Sequence, residues 1–314
     1  MKMDLGEPLT NPIRFGLQLR GANIEAIRAQ SLAAEAAGFS SVLVADHLDT
    51  GLDPLVVLAD LAIHTSTIRL GTLVLNNDLR HPVMLARQIV ALDHISGGRI
   101  ELGLGAGHTP REYAAIGLAL DPPRVRKARL YESISLLRRL LAGEEVNHVG
   151  DHCHLTGASI RASTQATIPM LIGGSGPTLL DFGARSCEII NLTGLGRTLP
   201  DGHKHEVRWN PELLDADVAQ IAAIRVEVGR TRPPELSALV QVVDVTDDRH
   251  TSATELVSSV AGLTVADALI TPFLAIGTHQ EIADHFRAAH QRWGINYFCV
   301  RSLDAIASVI ELLT

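Results

Sequence analysis

Residues 68–105 read IRLGTLVLNNDLRHPVMLARQIVALDHISGGRIELGLG. The apolar run at residues 68–75 predicts a buried strand, and the run at residues 99–104 predicts another. Between them, residues 81–95 have the spacing of a helix that buries one face, with Pro82 in the first turn, where its missing N–H costs nothing. A strand, a helix and a second strand in this order predict one unit of an α/β fold with parallel strands.

The same alternation continues on both sides of this stretch. Six further strands are predicted at residues 13–19, 41–45, 169–172, 188–192, 236–245 and 295–300. Further helices are predicted at residues 24–37, 53–64, 124–142, 177–185, 216–228, 251–261, 280–292 and 303–313. Residues 146–161 suggest a small β excursion, and residues 194–213 have no clean period.

Eight strands, each followed by helical sequence, predict a (β/α)8 TIM barrel. Near-continuous apolar strands fit a parallel sheet that helices cover. A doubly wound sheet is the alternative, but the strand count and the lack of a two-domain break favour the barrel. We therefore expect one barrel domain over residues 1–314, with insertions at its C-terminal face.

The composition excludes several classes of protein. Of the 314 residues 46% are hydrophobic. The sequence has no run of 18 apolar residues, so we expect no membrane-spanning helix. The formal net charge of -8 argues against nucleic-acid binding, which needs a basic surface. The N-terminus lacks the apolar core of a signal peptide, and three cysteines without CxxC spacing indicate neither disulfides nor zinc. We expect a cytoplasmic protein that acts on a small molecule.

The active site of a barrel lies at the C-terminal ends of its strands. After the strand at residues 41–45 come Asp46 and His47, a carboxylate beside a group that can donate or accept a proton at neutral pH. A structural or solvated histidine is the alternative here.

Two glycine-rich stretches also follow predicted strands. GGSGP at residues 173–177 offers backbone N–H groups and a helix start, which suit a phosphate, although an ordinary tight turn is the alternative. GLGAG at residues 103–107 is not a dinucleotide motif, since His108 takes the place of the third glycine. Its small residues fit a flat ligand against bare backbone or crowding at the barrel mouth.

The long segment at residues 194–213 would lie at the mouth, where such loops often cover substrates. Candidates for substrate contact there are Arg197, His203, His205, Arg208 and Trp209, unless the segment is a solvated loop. The sequences His152-Cys153-His154 and His203-Lys204-His205 have the look of metal ligands, but no carboxylate accompanies them, so we expect no metal.

These motifs together resemble the luciferase-like monooxygenase superfamily. The resemblance is carried by LVLNNDLRHPVMLARQIVALDHISGGR at residues 73–99, then GLGAG, then IGGSGP, and it covers most of the chain. The three motifs in this order are specific for the superfamily, although none of them is specific on its own. It implies a (β/α)8 barrel that binds either FMN, to activate oxygen, or coenzyme F420, a 5-deazaflavin, to move hydride.

The F420-dependent branch is the closer resemblance. The pair Asp46-His47 is similar to the Asp-His of that branch, where the histidine is proposed to donate or accept a proton. An arginine-rich, lysine-poor composition, 24 Arg against 3 Lys, looks actinobacterial, and such organisms commonly make F420. We expect coenzyme F420, with FMN as the alternative.

The resemblance also implies roles for individual residues. A non-prolyl cis peptide is expected near Leu73-Val74. Contacts to the cofactor are expected from Leu73, Val74, Leu75 and Asn76, from Gly105, Ala106 and Gly107, and, at the phosphate, from Gly173, Gly174, Ser175 and Gly176. His108 joins the substrate contacts. Deazaflavin sugar-phosphate dehydrogenases carry Glu at this position, so the departure argues against sugar-phosphate oxidation.

We therefore predict a homodimeric F420-dependent oxidoreductase that reduces an activated C=C or C=N bond, with His47 and Asp46 catalytic. An FMN-dependent monooxygenase is the alternative. A non-catalytic flavin-binding barrel belongs to another class, and the pair Asp46-His47 argues against it. A phosphate-binding barrel of sugar metabolism would explain residues 173–176 but not residues 73–99.

Overall fold

The computed structural model describes residues 11–21, 23–48, 51–174, 176–199 and 205–314. Its strands are, in chain order, β1 (Arg14–Gln18), β2 (Ser41–Val44), β3 (Arg69–Thr72), β4 (Leu75–Asn76), β5 (Ile100–Gly105), β6 (Val146–Val149), β7 (His154–Ala158), β8 (Met170–Gly174), β9 (Ile189–Leu192), β10 (Leu195–Thr198), β11 (His205–Val207), β12 (Glu235–Leu239), β13 (Val242–Val245), β14 (Leu274–Gly277) and β15 (Ile295–Val300).

The helices are α1 (Ile24–Ala36), α2 (Pro54–His64), α3 (Pro82–Ser96), α4 (Pro110–Ala115), α5 (Pro123–Leu141), α6 (Pro177–Ser186), α7 (Pro211–Glu227), α8 (Arg249–Ser258), α9 (Val265–Ala268), α10 (His279–Trp293) and α11 (Leu303–Leu313). A 3₁₀ turn at Asn77–Leu79 separates β4 from α3. Within the described ranges, no helix has both the length and the apolar character needed to cross a membrane.

Eight of the strands form one closed parallel sheet. Hydrogen bonds join neighbours in the order β3, β2, β1, β15, β12, β9, β8 and β5, and pairing of β5 with β3 closes the ring. The short β4 follows β3 and also pairs with β5. Each of the eight predicted strands overlaps one of these barrel strands, so the predicted (β/α)8 barrel is confirmed.

Several elements differ from the sequence-based expectation. The predicted strand at residues 236–245 is two strands, because the chain leaves the barrel after β12 and β13 pairs with β14 instead. The segment without a clean period contains the antiparallel hairpin of β10 and β11, and α7 begins before residue 216. The β excursion at residues 146–161 is the β6–β7 hairpin. The helices α4 and α9 are too short to carry a helical period.

The ends of α3 show how the sequence sets local structure. Its first residue is Pro82, and the backbone N–H of Val83 donates to His81 Nδ1 at 3.3 Å. The helix ends at Gly97, which adopts the left-handed conformation with φ 66°. Glycine reaches that conformation without steric cost, so the chain turns there and enters β5.

Side chains along the barrel strands alternate between the barrel interior and the helix layer. On β15, Tyr297 and Cys299 point inward and belong to a cluster that is separate from the main core. The members of this inner cluster are Leu43, Leu73, Leu171, Ile189, Leu239, Tyr297 and Cys299, and Val74 packs against it. The larger apolar core lies between the barrel and its helices.

An ionic network fills the N-terminal end of the barrel. Arg14 donates to Glu235 at 2.6 and 2.8 Å and to Glu101 at 3.1 Å, and its guanidinium lies 3.4 Å from the ring centroid of Tyr297. Burial acts to lower the pKa of Arg14, but these carboxylates outweigh it and raise the pKa. The guanidinium therefore stays charged and paired, and the open end of the barrel is the C-terminal mouth.

Glu35 ties α1 to the chain that enters β3. Its Oε1 accepts the backbone N–H groups of Ser66, Thr67 and Ile68 at 2.9, 2.6 and 2.9 Å. Burial opposes ionisation of the carboxyl, but these hydrogen bonds outweigh it and lower the pKa of Glu35 from 4.5 to about 2. The contact thus depends on the charged form.

Replacing Glu35 by Gln should lower the free energy of unfolding at pH 7 by about 1–2 kcal/mol, because an amide oxygen accepts these N–H groups less strongly than a carboxylate. The pKa of Glu35 is lower in the folded chain than in the unfolded one. Its stabilisation is therefore complete above about pH 5 and is lost as the pH falls toward 2. Urea unfolding at pH 7 and pH 3 measures both effects. The control is Glu25→Gln on the exposed side of α1; an equal loss in both variants would contradict the assignment.

Candidate active site

His47 follows β2 at the mouth, and a buried carboxylate holds it. Its Nδ1 lies 2.8 Å from Glu112 Oε1, at the start of α4. The His47 side chain is 40% exposed, whereas that of Glu112 is only 7% exposed. Because Glu112 occupies Nδ1, Nε2 is the ring nitrogen left for contacts in the mouth.

Asp46 and His47, which we expect to be catalytic, have different side-chain partners. Asp46 Oδ2 accepts the backbone N–H of Asn76 at 2.9 Å and pairs with the guanidinium of Arg80. The side chains of Asp46 and His47 therefore face different surroundings. The carboxylate partner of His47 is Glu112, and Asp46 ties the end of β2 to β4. The catalytic role of Asp46 stays a prediction, and the hydrogen bonds of its carboxylate go to Asn76 and Arg80.

The expected cis peptide lies between Leu73 and Val74 and is confirmed. The Leu73 carbonyl accepts a hydrogen bond from Gln18 Nε2 at 3.1 Å. Val74 is half-buried and packs on the inner cluster of the barrel. Its side chain forms an apolar floor at the mouth.

Glycines surround Val74 because no side chain fits beside it. A Cβ on Gly105 would lie 2.6 Å from Val74 Cγ2, and a Cβ on Gly173 would lie 3.1 Å from Val74 Cγ1. A Cβ on Gly103 would meet the backbone of Thr72. Of the two interpretations of GLGAG, crowding at the mouth thus explains Gly103 and Gly105.

Contacts from Asn76 and Arg126 fix the turn that follows β5. Gly107 has φ 69°, and a Cβ there would lie 2.5 Å from Asn76 Oδ1. Asn76 Oδ1 also accepts a hydrogen bond from the Tyr113 hydroxyl at 3.2 Å, and Arg126 donates to the carbonyls of Ala106 and Gly107. Burial raises the pKa of Tyr113 to about 12, so the hydroxyl remains a donor. Because Asn76 Oδ1 already accepts this hydrogen bond, the expected contact of Asn76 with a cofactor would come from its amide nitrogen.

The glycine-rich turn after β8 leads into α6 without a side-chain cap. Gly176 is the N-cap residue with φ 97°, and a Cβ there would meet nothing within 4 Å. From α5, Lys127 Nζ donates to Thr178 Oγ1 in the first turn of α6 at 2.7 Å. Open N–H groups and a lysine at one helix start suit a phosphate. Gly173 and Gly174 end β8, with Gly174 at φ 142°, and Ser175 lies outside the described residues.

Three of the predicted mouth histidines lie near one another. The ring centroids of His47 and His108 are 5.9 Å apart, and those of His108 and His205 are 5.1 Å apart. His205 belongs to β11, so the β10–β11 hairpin reaches over the mouth toward the ends of β2 and β5. His203 lies outside the described residues.

The other predicted substrate contacts are placed differently. Arg197 is 79% exposed and pairs with Glu206 across the hairpin at 2.7 Å. Trp209 is 8% exposed and packs against Gly194 and Phe273, so it supports the base of the hairpin. Arg208 lies 3.4 Å from Asp217. In the part of the chain that the structure describes, no group of three or more His, Cys, Asp or Glu could hold a metal ion.

Some residues of the mouth are not identifiable from sequence. Arg301 follows β15 and donates through Nε to Gln18 Oε1 at 2.7 Å and through Nη1 to Gln241 Oε1 at 3.2 Å. Glu112 sits four residues after His108 in a helix too short to be predicted. The one available signal is the inward register of β15, which passes through Tyr297 and Cys299 to Arg301.

Comparison with known proteins agrees with this geometry. The sequence profile of the family described as luciferase-like monooxygenase matches residues 9–297. The chain therefore belongs to this family, as its motifs predict. A solved tetrahydromethanopterin reductase from Methanopyrus kandleri, which depends on coenzyme F420, has the same fold with a TM-score of 0.75. It is 20% identical, and the match covers 97% of this chain and 100% of that one.

Curated relatives are more similar in sequence over shorter stretches. An F420-dependent glucose-6-phosphate dehydrogenase from Nakamurella multipartita is 34% identical over 184 residues, which cover 55% of this chain and 54% of the relative. A 5,10-methylenetetrahydromethanopterin reductase from Methanolobus tindarius is 32% identical over 199 residues, 63% of this chain and 54% of the relative. The chain thus spans about half the length of these relatives.

The crowding around Val74 can be tested by substitution. Gly105→Ala should lower the free energy of unfolding by about 1–3 kcal/mol, because its Cβ would overlap Val74 Cγ2. Adding Val74→Ala should recover part of that loss, since it vacates the space. Thermal and urea unfolding measure both variants. Gly51→Ala is the control, because a Cβ there meets nothing within 4 Å; no rescue in the double variant would refute the packing argument.

Proposed function

We propose that this protein is an F420-dependent oxidoreductase that transfers a hydride between the deazaflavin and a small organic substrate, reducing an activated C=C or C=N bond. The contact that carries the proposal is the buried Glu112 on Nδ1 of His47, since it leaves a positioned imidazole in a mouth floored by Val74. The names of two curated relatives, which refer to F420 or to a methanopterin reductase, support it. The replacement of Glu by His108 argues against the sugar-phosphate substrate of one of them.

The residues present fit such a cofactor. Val74 gives an apolar surface for a flat ring, and Gly105 and Gly173 add no side chain beside it. The uncapped start of α6, with Lys127 beside it, offers donors to a phosphate. When bound, the deazaflavin supplies or accepts the hydride.

His47 would then donate the proton that the reduced substrate needs. A hydride added to one atom of a C=C or C=N bond leaves an electron pair on the other atom, and that atom needs a proton. Protonated His47 can deliver it from Nε2, because Glu112 fixes the ring through Nδ1 and stabilises its positive charge. The neutral imidazole then regains its proton from solvent through its exposed edge.

Titration of the purified chain with F420 and with FMN tests the cofactor directly. We expect quenching of deazaflavin fluorescence with tighter binding than for FMN. Tight FMN binding without a deazaflavin response would instead support the FMN monooxygenase suggested by the name of the family. Binding of F420 without turnover of any activated enone or imine in a substrate panel would support a non-catalytic barrel.

The predicted homodimer is a separate proposal. Exposed apolar side chains occur on the adjacent helices α2 and α3, at Val56, Ile63, Met84 and Ile95. Light scattering of the purified chain measures its molar mass and decides between monomer and dimer.

Lys127→Gln should weaken F420 binding about three- to tenfold, because it removes a positive charge beside the start of α6. Binding of a deazaflavin that lacks the phosphate should not change. Fluorescence titration of both ligands gives the comparison. Arg139→Gln, at the other end of α5 and paired with Glu144, is the control. Equal weakening of both ligands by Lys127→Gln would show that the lysine does not serve the phosphate.

His47→Ala should lower kcat about 10²–10⁴-fold when protonation limits turnover, with little change in F420 affinity. Glu112→Gln should lower kcat less, because the imidazole ring loses the carboxylate that fixes its orientation. Stopped-flow reoxidation of the reduced deazaflavin with an activated enone follows both. Asp46→Asn is the matched control, since Asp46 does not contact His47. If His108→Ala abolishes turnover while His47→Ala stays within about twofold, His47 is not the proton donor.

A further inference from the structure

Arg301 occupies an inward position at the barrel mouth. On β15 the inner residues are Tyr297 and Cys299, and the next residue in the same register is Arg301. Its hydrogen bonds confirm the direction, because Gln18, at the end of β1, and Gln241, just after β12, both accept from it. The two neighbouring strands of β15 thus hold the guanidinium between them over the opening.

The hydrogen-bond partners of Arg301 that the structure describes carry no charge. Both acceptors are neutral amides, and among the residues the structure describes no carboxylate forms an ion pair with it. Asp304, the nearest acid along the chain, makes none. By contrast Arg14 at the other end of the barrel has two carboxylates, and Arg80 at the same mouth has Asp46.

A second arginine adds to this charge. Arg20 lies two residues beyond Gln18 in the inward register of β1, and it is exposed. Burial and then the positive charge of Arg20 lower the pKa of Arg301. Both effects disfavour the charged guanidinium, and a bound anion would reverse them. The amides of Gln18 and Gln241 use Nε and Nη1, so Nη2 remains for such an anion.

We infer that Arg301, with Arg20 beside it, binds an oxyanion group of the substrate, a carboxylate or a phosphate. This inference rests on the proposed function, because it assigns the far end of a substrate that reacts near His47. Around the barrel, β15 adjoins β1 and β1 adjoins β2, so Arg301 and His47 lie two strands apart on the same rim. A small acid or phosphate ester that spans this distance would direct its reducible bond toward His47 and its charge toward Arg301.

Two other roles compete with this one. Arg301 could act only as a clamp on Gln18, which in turn holds the Leu73 carbonyl. It could instead serve the ring of the cofactor rather than the substrate. In the first case no anion binds, and in the second the cofactor and an anion exclude one another.

The test uses the full chain labelled with ¹⁵N-arginine, titrated with sodium acetate and, separately, with inorganic phosphate at constant ionic strength. The guanidinium resonance of Arg301 is identified by its loss in Arg301→Lys. We expect a saturable shift of this resonance, with an apparent Kd at least tenfold lower than the midpoint of any shift at Arg28, which is already paired with Asp60. Arg20→Gln should weaken this binding about two- to fivefold.

The titrations are repeated with F420 bound. Retained binding of acetate, phosphate or both supports the inference, and the anion preferred tells carboxylate from phosphate substrates. Loss of anion binding on addition of F420 overturns it in favour of a cofactor contact. A shift at Arg301 no larger than at Arg28 overturns it in favour of the clamp. Failure of F420 itself to bind would remove the proposed function, but the first titrations would still decide whether the anion site exists.

Discussion

The space inside the barrel mouth admits one branched side chain, and Val74 takes it. Two strands make room for it, because β5 carries glycine at positions 103 and 105 and β8 carries glycine at position 173. The result is a fixed apolar surface with bare backbone on two sides. A flat ring can lie there only because the glycines remove their side chains and the packing around Val74 leaves it one position.

Charge is distributed unevenly along the barrel axis. At the closed end Arg14 sits between Glu101 and Glu235, so its charge is balanced inside the molecule. At the open end the balance differs from side to side: Asp46 neutralises Arg80, while the partners of Arg301 among the described residues are amides. An uncompensated, half-buried cation is costly in a folded chain unless something outside the chain pairs with it. The imbalance therefore belongs to the face where ligands arrive.

The barrel can be predicted from sequence because each of its strands is a short apolar run between helices, and that pattern is local. The side-chain partners at the barrel mouth cannot be predicted in this way. Asp46 and His47 are neighbours in sequence, yet their side chains have different partners, and the partner of His47 comes from a helix beyond the GLGAG turn. Likewise β12 and β13 form one apolar run, and only the pairing of β13 with β14 separates them.

The mouth thus has two chemically distinct sides. Toward the ends of β2 and β5 it carries His47, His108 and the carboxylate of Glu112, groups that can exchange a proton. Toward β15 and β1 it carries the guanidinium groups of Arg301 and Arg20. A substrate with one anionic end has a single favourable orientation between these sides, because the reverse would bring its negative charge against the carboxylate of Glu112 and leave Arg301 uncompensated. For the anionic substrate that we propose, charge therefore favours the orientation that directs the reacting bond toward His47.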